Sequence, residues 1–291
     1  MSNNTPSKVV LITGCSSGFG LSSAAYLAER GYRVVATMRD LARSSGLINE
    51  LKKRGCDADI LPLDVTAPGT IKAVMAHVSQ QYGYLDTLIN NAGYGIGGAF
   101  EDLTDEEIRE QMEVNFFGVQ NVTREAIHLM RRRPDARIIN VSSVAAFSSS
   151  PGFGAYNASK WALEGFSESL RYELKQFGIK VLLIEPGVYK TRIFFENRRF
   201  ASRFHDPDSP YYELSQHLKD RVDNFVDDCH KDVEDVARLI ERLITAKNPP
   251  FRSQPDLEAK VQRFFKRFLP FSLYSRIVEY FLFKGYAFRK R

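Results

Sequence analysis

Val9-Val10-Leu11-Ile12 runs without a break into Thr13-Gly14-Cys15-Ser16-Ser17-Gly18-Phe19-Gly20, and this junction constrains the chain more than any other feature. Four apolar residues in a row, three of them β-branched, suit a strand buried on both faces. The glycines that follow permit a tight turn into a helix over Gly20–Glu29. The alternation then repeats. Arg33 to Thr37, Ile60 to Leu63, Leu85 to Ile89, Arg137 to Val141 and Val181 to Ile184 read as further strands. Helical patterns lie between them, including Ile71–Gln81, Asp105–Arg132 and Tyr156–Phe177. Apolar strands separated by helices predict a parallel sheet covered on both faces, with right-handed crossovers. The expected fold is α/β, a single doubly wound parallel sheet.

The rest of the composition agrees. With 44% hydrophobic and 26% charged residues, 291 residues can bury a sizeable core, which excludes wholesale disorder. Cys15, Cys56 and Cys229 are too few and too scattered for a disulfide framework. No apolar run reaches the ~18 residues of a membrane span, and MSNNTPSK lacks the basic-then-apolar pattern of a signal peptide. A soluble, cytoplasmic protein is expected. The net charge of +5 is unevenly placed: residues 260–291 carry nine basic residues against Glu279 alone. That segment is +8, so the remainder is −3. It also holds ten of the 35 aromatic residues.

The glycine loop has a specific use in such a fold. Its turn lets backbone approach a pyrophosphate, and the helix that follows aims free N–H groups and a positive dipole end at it. The spacing, G-x-x-x-G-x-G, departs from the commoner G-x-G-x-x-G fingerprint, and an ordinary strand–helix turn is the alternative. Cys15 reads as a small packed side chain rather than a redox thiol. The second strand ends in Thr37-Met38-Arg39, without the acid that accepts from an adenosine 2′-hydroxyl. Arg39, helped by the hydroxyls of Ser16 and Ser17, can instead pair with a 2′-phosphate. NADP(H) is favoured over NAD(H) on this ground. A surface pair between Arg39 and Asp40 is the bland alternative.

Tyr156-Asn157-Ala158-Ser159-Lys160 places a tyrosine and a lysine one helical turn apart on one face. A free phenol, with a pKa near ~10, is a poor base at neutral pH. A neighbouring ammonium favours the phenolate and brings it toward useful acid–base chemistry.

With these motifs in order, the sequence resembles the short-chain dehydrogenase/reductase family over roughly residues 8–250. T-G-x-x-x-G-x-G, Asn90-Asn91-Ala92-Gly93, Asn115 in Val114-Asn115-Phe116-Phe117-Gly118, Ser143 thirteen residues before Tyr156, Y-x-x-x-K, and Pro186-Gly187-Val188-Tyr189-Lys190-Thr191 carry it. Thr13–Gly20, Arg39-Asp40 and Lys160-Trp161-Ala162-Leu163-Glu164-Gly165 look like its 17β-hydroxysteroid dehydrogenase and retinol dehydrogenase branch.

The resemblance implies a Rossmann-type fold and an oxidoreductase. Tyr156 is implied as acid–base, Lys160 as lowering the tyrosine pKa and holding the nicotinamide ribose. Ser143 would bond the oxyanion, with Ser142 as its neighbouring competitor. Asn115 would position a relay water. Cofactor contacts are implied for Gly14, Ser16, Ser17, Gly18, Phe19, Gly20, Arg39, Asp64, Val65, Asn90, Ala92, Gly93, Tyr156, Lys160, Pro186, Gly187, Val188 and Thr191. The expected reaction interconverts a primary or secondary alcohol and its carbonyl on a lipophilic steroid-, retinoid- or lipid-like substrate. A homodimer or homotetramer is also implied. The alternatives are a reductase of a small or carrier-linked carbonyl, or a non-catalytic NADP-binding scaffold.

Residues 1–255 are accordingly expected to form the catalytic and cofactor-binding domain. Within it, residues 192–230, with Ile193-Phe194-Phe195, Phe200, Phe204 and Tyr211-Tyr212, read as an insertion covering the substrate. Residues 256–291 form a basic aromatic extension, helical by pattern, either packed on the body or lying peripherally on a membrane with help from Arg289-Lys290-Arg291. The five histidines show no metal-ligand spacing, no G-x-S-x-G elbow is present, and no recognition motif accompanies the basic tail, so neither a metal nor a nucleic acid is expected.

Overall fold

The computed structural model describes residues 7–191 and 198–287. Ile193-Phe194-Phe195 and Arg289-Lys290-Arg291 lie outside the described residues. Seven strands form one parallel sheet: β1 (Val9–Ile12), β2 (Arg33–Met38), β3 (Asp59–Pro62), β4 (Thr87–Asn90), β6 (Arg137–Val141), β7 (Lys180–Ile184) and β9 (Arg252–Ser253). Their order is β3-β2-β1-β4-β6-β7-β9. Two short strands, β5 (Ile96–Gly97) and β8 (Arg199–Phe200), pair separately in parallel. The chain winds outward from β1 in both directions, so the crevice where the order reverses lies at the carboxyl ends of β1 and β4.

Strand β1 explains why the sheet is covered twice. Its side chains alternate by the two-residue pleat. Val10 and Ile12 pack with α1 (Gly18–Glu29), α2 (Ser45–Arg54) and α8 (Glu234–Thr245), whereas Val9 and Leu11 pack with α3 (Pro68–Gln81), α5 (Gly118–Met130) and α6 (Gly154–Leu174). All four are fully buried, which is why no polar residue interrupts the run.

The long helix expected over Asp105–Arg132 is divided. Helix α4 (Asp105–Met112), which Thr104 and Glu107 begin with a reciprocal capping box, leads into a π-helical turn over Glu113–Phe117 and then into α5. Gly118 sits where a Cβ would lie 2.5 Å from Val65, so the wall is close-packed there. Of the 192–230 stretch, the described residues 198–230 are more regular than their composition suggests, since Tyr212–Asp227 forms a helix, α7. The C-terminal region is helical, with α9 (Leu257–Phe268) capped by the Asp256 carboxylate and α10 (Phe271–Phe283) starting after Pro270. No described helix is long and apolar enough to cross a membrane.

Candidate active site

The crevice at the sheet's switch point opens into a cleft of about 740 Å³. Its floor is a knot between the ends of β1 and β4. Thr13 Oγ1 accepts from the backbone N–H groups of Asn91 and Ala92, both at 3.0 Å. The Asn91 amide donates back to the carbonyls of Thr13 (2.9 Å) and Gly14 (3.1 Å). Gly14, at φ +75°, leaves no room for a side chain, because its Cβ would stand 2.8 Å from Ala92 Cα. The sequence reading did not assign Asn91 to the site; its place beside Asn90 and Ala92 was the available signal.

Ser16, Ser17, Gly18, Phe19, Asp64, Val65, Ala92, Gly93, Tyr156, Lys160 and Thr191 line this cleft with Gly14 and Arg39. Gly20, Asn90, Pro186, Gly187 and Val188 do not line it. Gly20 is a packing position: its Cβ would meet Gly14 O at 2.2 Å. Asn90 is buried, and its amide is spent on Thr123 Oγ1 (3.0 Å) and Asn140 Oδ1 (2.8 Å), which tie β4 to its neighbours. Of the 186–191 stretch only Thr191 reaches the cleft, against Gly18. Pro186 O accepts from Val144 N, Gly187 N donates to Asp256, and Val188 O accepts from Cys229 Sγ, so that loop is fastened from behind. Cys15 is a packed residue, with burial pushing its thiol up to about 12.

At the end of β2, Arg39 is exposed, lines the cleft and makes no ion pair among the described residues. Asp40 accepts from Ala42 N at 2.9 Å and caps the 3-10 turn over Leu41–Arg43, rather than pairing with Arg39. That turn brings a second cation, Arg43, to the same cleft. It stands four positions after Arg39, a spacing that no motif in the sequence singles out.

The opposite end of the cleft carries the acid–base groups. Ser143 caps the short turn that follows β6, its Oγ accepting from Ala145 N at 3.1 Å, and lies near enough to Tyr156 to favour its phenolate. Lys160 Nζ lies 5.8 Å from the centre of the Tyr156 ring and donates to Val141 O at 2.9 Å. Burial lowers the Lys160 ammonium to about 8, against an opposing pull from Glu164 one turn on. The expected depression of Tyr156 by Lys160 is not what this geometry gives. Burial raises the phenol above its ordinary value, and the contact that opposes the rise is Ser143. Desolvation of the phenolate sets the direction, and Lys160, 5.8 Å from the ring centre, does not offset it.

Asn115 occupies the π-helical turn. Both of its amide hydrogens are used, on Tyr94 O (2.9 Å) and Ser159 Oγ (3.1 Å), while Oδ1 accepts from Tyr94 N (3.1 Å). The side chain therefore joins Tyr94 to α6, which leaves only the second lone pair of Oδ1 for a relay water. Ser142 Oγ is buried with no partner among the described residues.

The cleft fits a dinucleotide: side-chain-free backbone and a helix N-terminus at one end suit a pyrophosphate, and a phenol, a hydroxyl and an ammonium meet at the other. A family model described as short chain dehydrogenase matches residues 8–201. The 3-ketodihydrosphingosine reductase of Bacteroides thetaiotaomicron is 35% identical over 258 residues, covering 85% of this chain and 87% of that protein. Human retinol dehydrogenase 8 is 34% identical, covering 86% and 82%. The crystal structure of an actinorhodin polyketide ketoreductase with NADPH superposes with a TM-score of 0.71 at 29% identity, covering 85% of this chain and 95% of that one. Glycine cradle, Ser–Tyr–Lys constellation, parallel sheet and family match thus agree: the chain is an oxidoreductase that uses a nicotinamide cofactor and belongs to the short-chain dehydrogenase/reductase family.

Proposed function

We propose that this protein interconverts an alcohol and its carbonyl on a lipophilic substrate, with NADP(H) as the cofactor. The observation that carries the reaction is Tyr156 with Lys160 Nζ 5.8 Å from its ring centre, both lining one end of a glycine-cradled cleft with Ser143 close by. When bound, the nicotinamide supplies or accepts a hydride at the substrate carbon. The chain's own groups manage the proton. Tyr156, which burial keeps protonated at neutral pH, donates to the carbonyl oxygen in reduction and takes the proton back in oxidation. Ser143 Oγ donates to the same oxygen as charge builds on it, once it turns from the phenol. Lys160, freed from Val141 O, would hold the ribose hydroxyls and place positive charge beside the phenol.

That role ties activity to Lys160's charge. Its ammonium is intact below about 8 and lost above it in the free enzyme. Reductive kcat/KM is therefore expected to fall as pH rises through that value, and Lys160→Arg should move the falling limb upward. A profile flat from pH 7 to well above 8 (roughly two units, enough to deprotonate Lys160) would remove Lys160's charge from the mechanism.

The preference for NADP(H) rests on Arg39, unpaired by Asp40, with Arg43 beside it. Losing a charge-assisted phosphate contact costs about 1.5–3 kcal/mol. Arg39→Ala should therefore raise the NADPH Kd roughly ten- to a hundredfold and leave that for NADH nearly unchanged. Equal losses for both, measured by fluorescence titration, would mean that Arg39 does not read a 2′-phosphate.

The lipophilic substrate is supported by the two named relatives, a 3-ketodihydrosphingosine reductase and a retinol dehydrogenase. A panel of long-chain 3-ketones, steroids, retinoids and short polar carbonyls, followed by NADPH absorbance, tests the reading. Turnover confined to the short polar members would overturn it.

A further inference from the structure

Helices α9 and α10 are built inside out. On α9, Leu257, Val261, Phe264, Phe265 and Phe268 recur at the three- and four-residue spacing that makes one apolar face, the face a surface helix normally turns to the core. Here it points to solvent, with Leu257 74% exposed, Phe264 58% and Phe268 63%. The polar side chains turn inward instead. Gln262 donates to Ser148 Oγ at 3.0 Å, Arg263 pairs with buried Glu185 at 2.7 Å, and Lys266 lies over the Tyr274 ring. Helix α10 continues the exposed face with Phe271, Leu273, Ile277, Tyr280 and Phe281. Ten of the seventeen exposed large apolar side chains among the described residues belong to these two helices.

The surrounding charge selects the occupant. Lys260, Arg267, Arg276 and Lys284 are exposed around this face, and described residues 257–287 carry six cations against Glu279 and Glu258, the latter paired with Lys231. A second copy would bring the same positive charge to the same patch, which repulsion opposes. A negatively charged lipid surface satisfies both halves: headgroups meet the cations and the acyl boundary takes the aromatics. Neither helix is long enough to cross a bilayer, and Arg276 and Glu279 interrupt α10, so the pair would lie in the interface plane.

We propose that the exposed face of α9 and α10 docks this protein on anionic lipid bilayers. The mounting gives the docking a use. Tyr274 of α10 and Gln262 of α9 both hydrogen-bond Ser148, in the segment that joins Ser143 to the Tyr156 helix. Docking therefore sets the segment between the cleft residues Ser142 and Tyr156 next to the membrane, where a lipid-dissolved carbonyl would be delivered. This last point rests on the lipophilic-substrate reading; the docking itself does not.

The test is co-sedimentation of the full chain with phosphatidylcholine vesicles, with and without phosphatidylserine. Binding is expected only with phosphatidylserine, and it should fall with added salt. It should drop by at least about tenfold in the triple variant Phe264→Ser/Phe268→Ser/Phe281→Ser, and similarly in Lys260→Glu/Arg267→Glu. These side chains are exposed, so both variants should keep the wild-type circular dichroism and their turnover of a water-soluble carbonyl. Failure to sediment, or equal sedimentation of wild type and both variants, would overturn the proposal. So would a variant that changes oligomeric state by light scattering, which would assign the face to a second copy. A substrate panel that fails while the vesicles bind would sink the lipophilic reading alone.

Discussion

Tyr156→Phe is expected to cut turnover by about a thousandfold while NADPH binds almost as before, within the usual range for a lost general acid. The substitution removes one oxygen and keeps the ring, so the half-buried packing and the 5.8 Å spacing to Lys160 need not change. What it removes is the proton that Tyr156 would pass to the substrate oxygen. Burial raises the phenol's pKa, so the free enzyme starts with that proton in place, poised for reduction. Oxidation needs the phenolate and should therefore improve as pH rises until Lys160 loses its charge. Single-turnover NADPH oxidation together with cofactor titration separates chemistry from binding. Turnover within tenfold of wild type would show that another group supplies the proton.

Gly20→Ala should raise the NADPH Kd about a hundredfold and lower stability by about 1–3 kcal/mol. The added methyl would stand 2.2 Å from Gly14 O and 2.5 Å from the Asn91 amide. Neither can yield cheaply. Gly14 is backbone held against Ala92, and the Asn91 amide is bonded to the carbonyls of Thr13 and Gly14. Relief must come from moving the loop, which displaces the N–H groups meant for the pyrophosphate. Gly69→Ala in α3 is the matched control, since a Cβ there meets nothing within 4 Å. Thermal unfolding and cofactor titration on the pair check the expectation. If both substitutions behave alike, the loop is not the rigid cradle described above.

The site divides by how its residues are arranged along the chain. Gly14 to Gly20 and Tyr156 with Lys160 are local patterns, each set by one turn or one helical face, so spacing alone reveals them. Asn90 resembles them in sequence but is consumed by Thr123 and Asn140, partners 33 and 50 residues away. Asn115 was legible as a position and not as a device, because its bonds to Tyr94 and Ser159 and the π-turn around it depend on packing against α6. Arg43 joined Arg39 only through a short turn that Asp40 caps.

The sequence by itself determined the layered α/β architecture, the family and the residue types at the reacting end. Strand burial and helix periodicity are written into consecutive side chains, and glycine's missing Cβ cannot be replaced. The tertiary structure decided what distance and desolvation control. It set Lys160 5.8 Å from the centre of the Tyr156 ring, with Ser143 as the group that favours the phenolate, and burial brought the Lys160 ammonium down to about 8. It also turned the apolar stripe of α9 outward. Periodicity shows that a helix has an apolar face; only the partners of the opposite face, Glu185 and Ser148, fix which way that face looks.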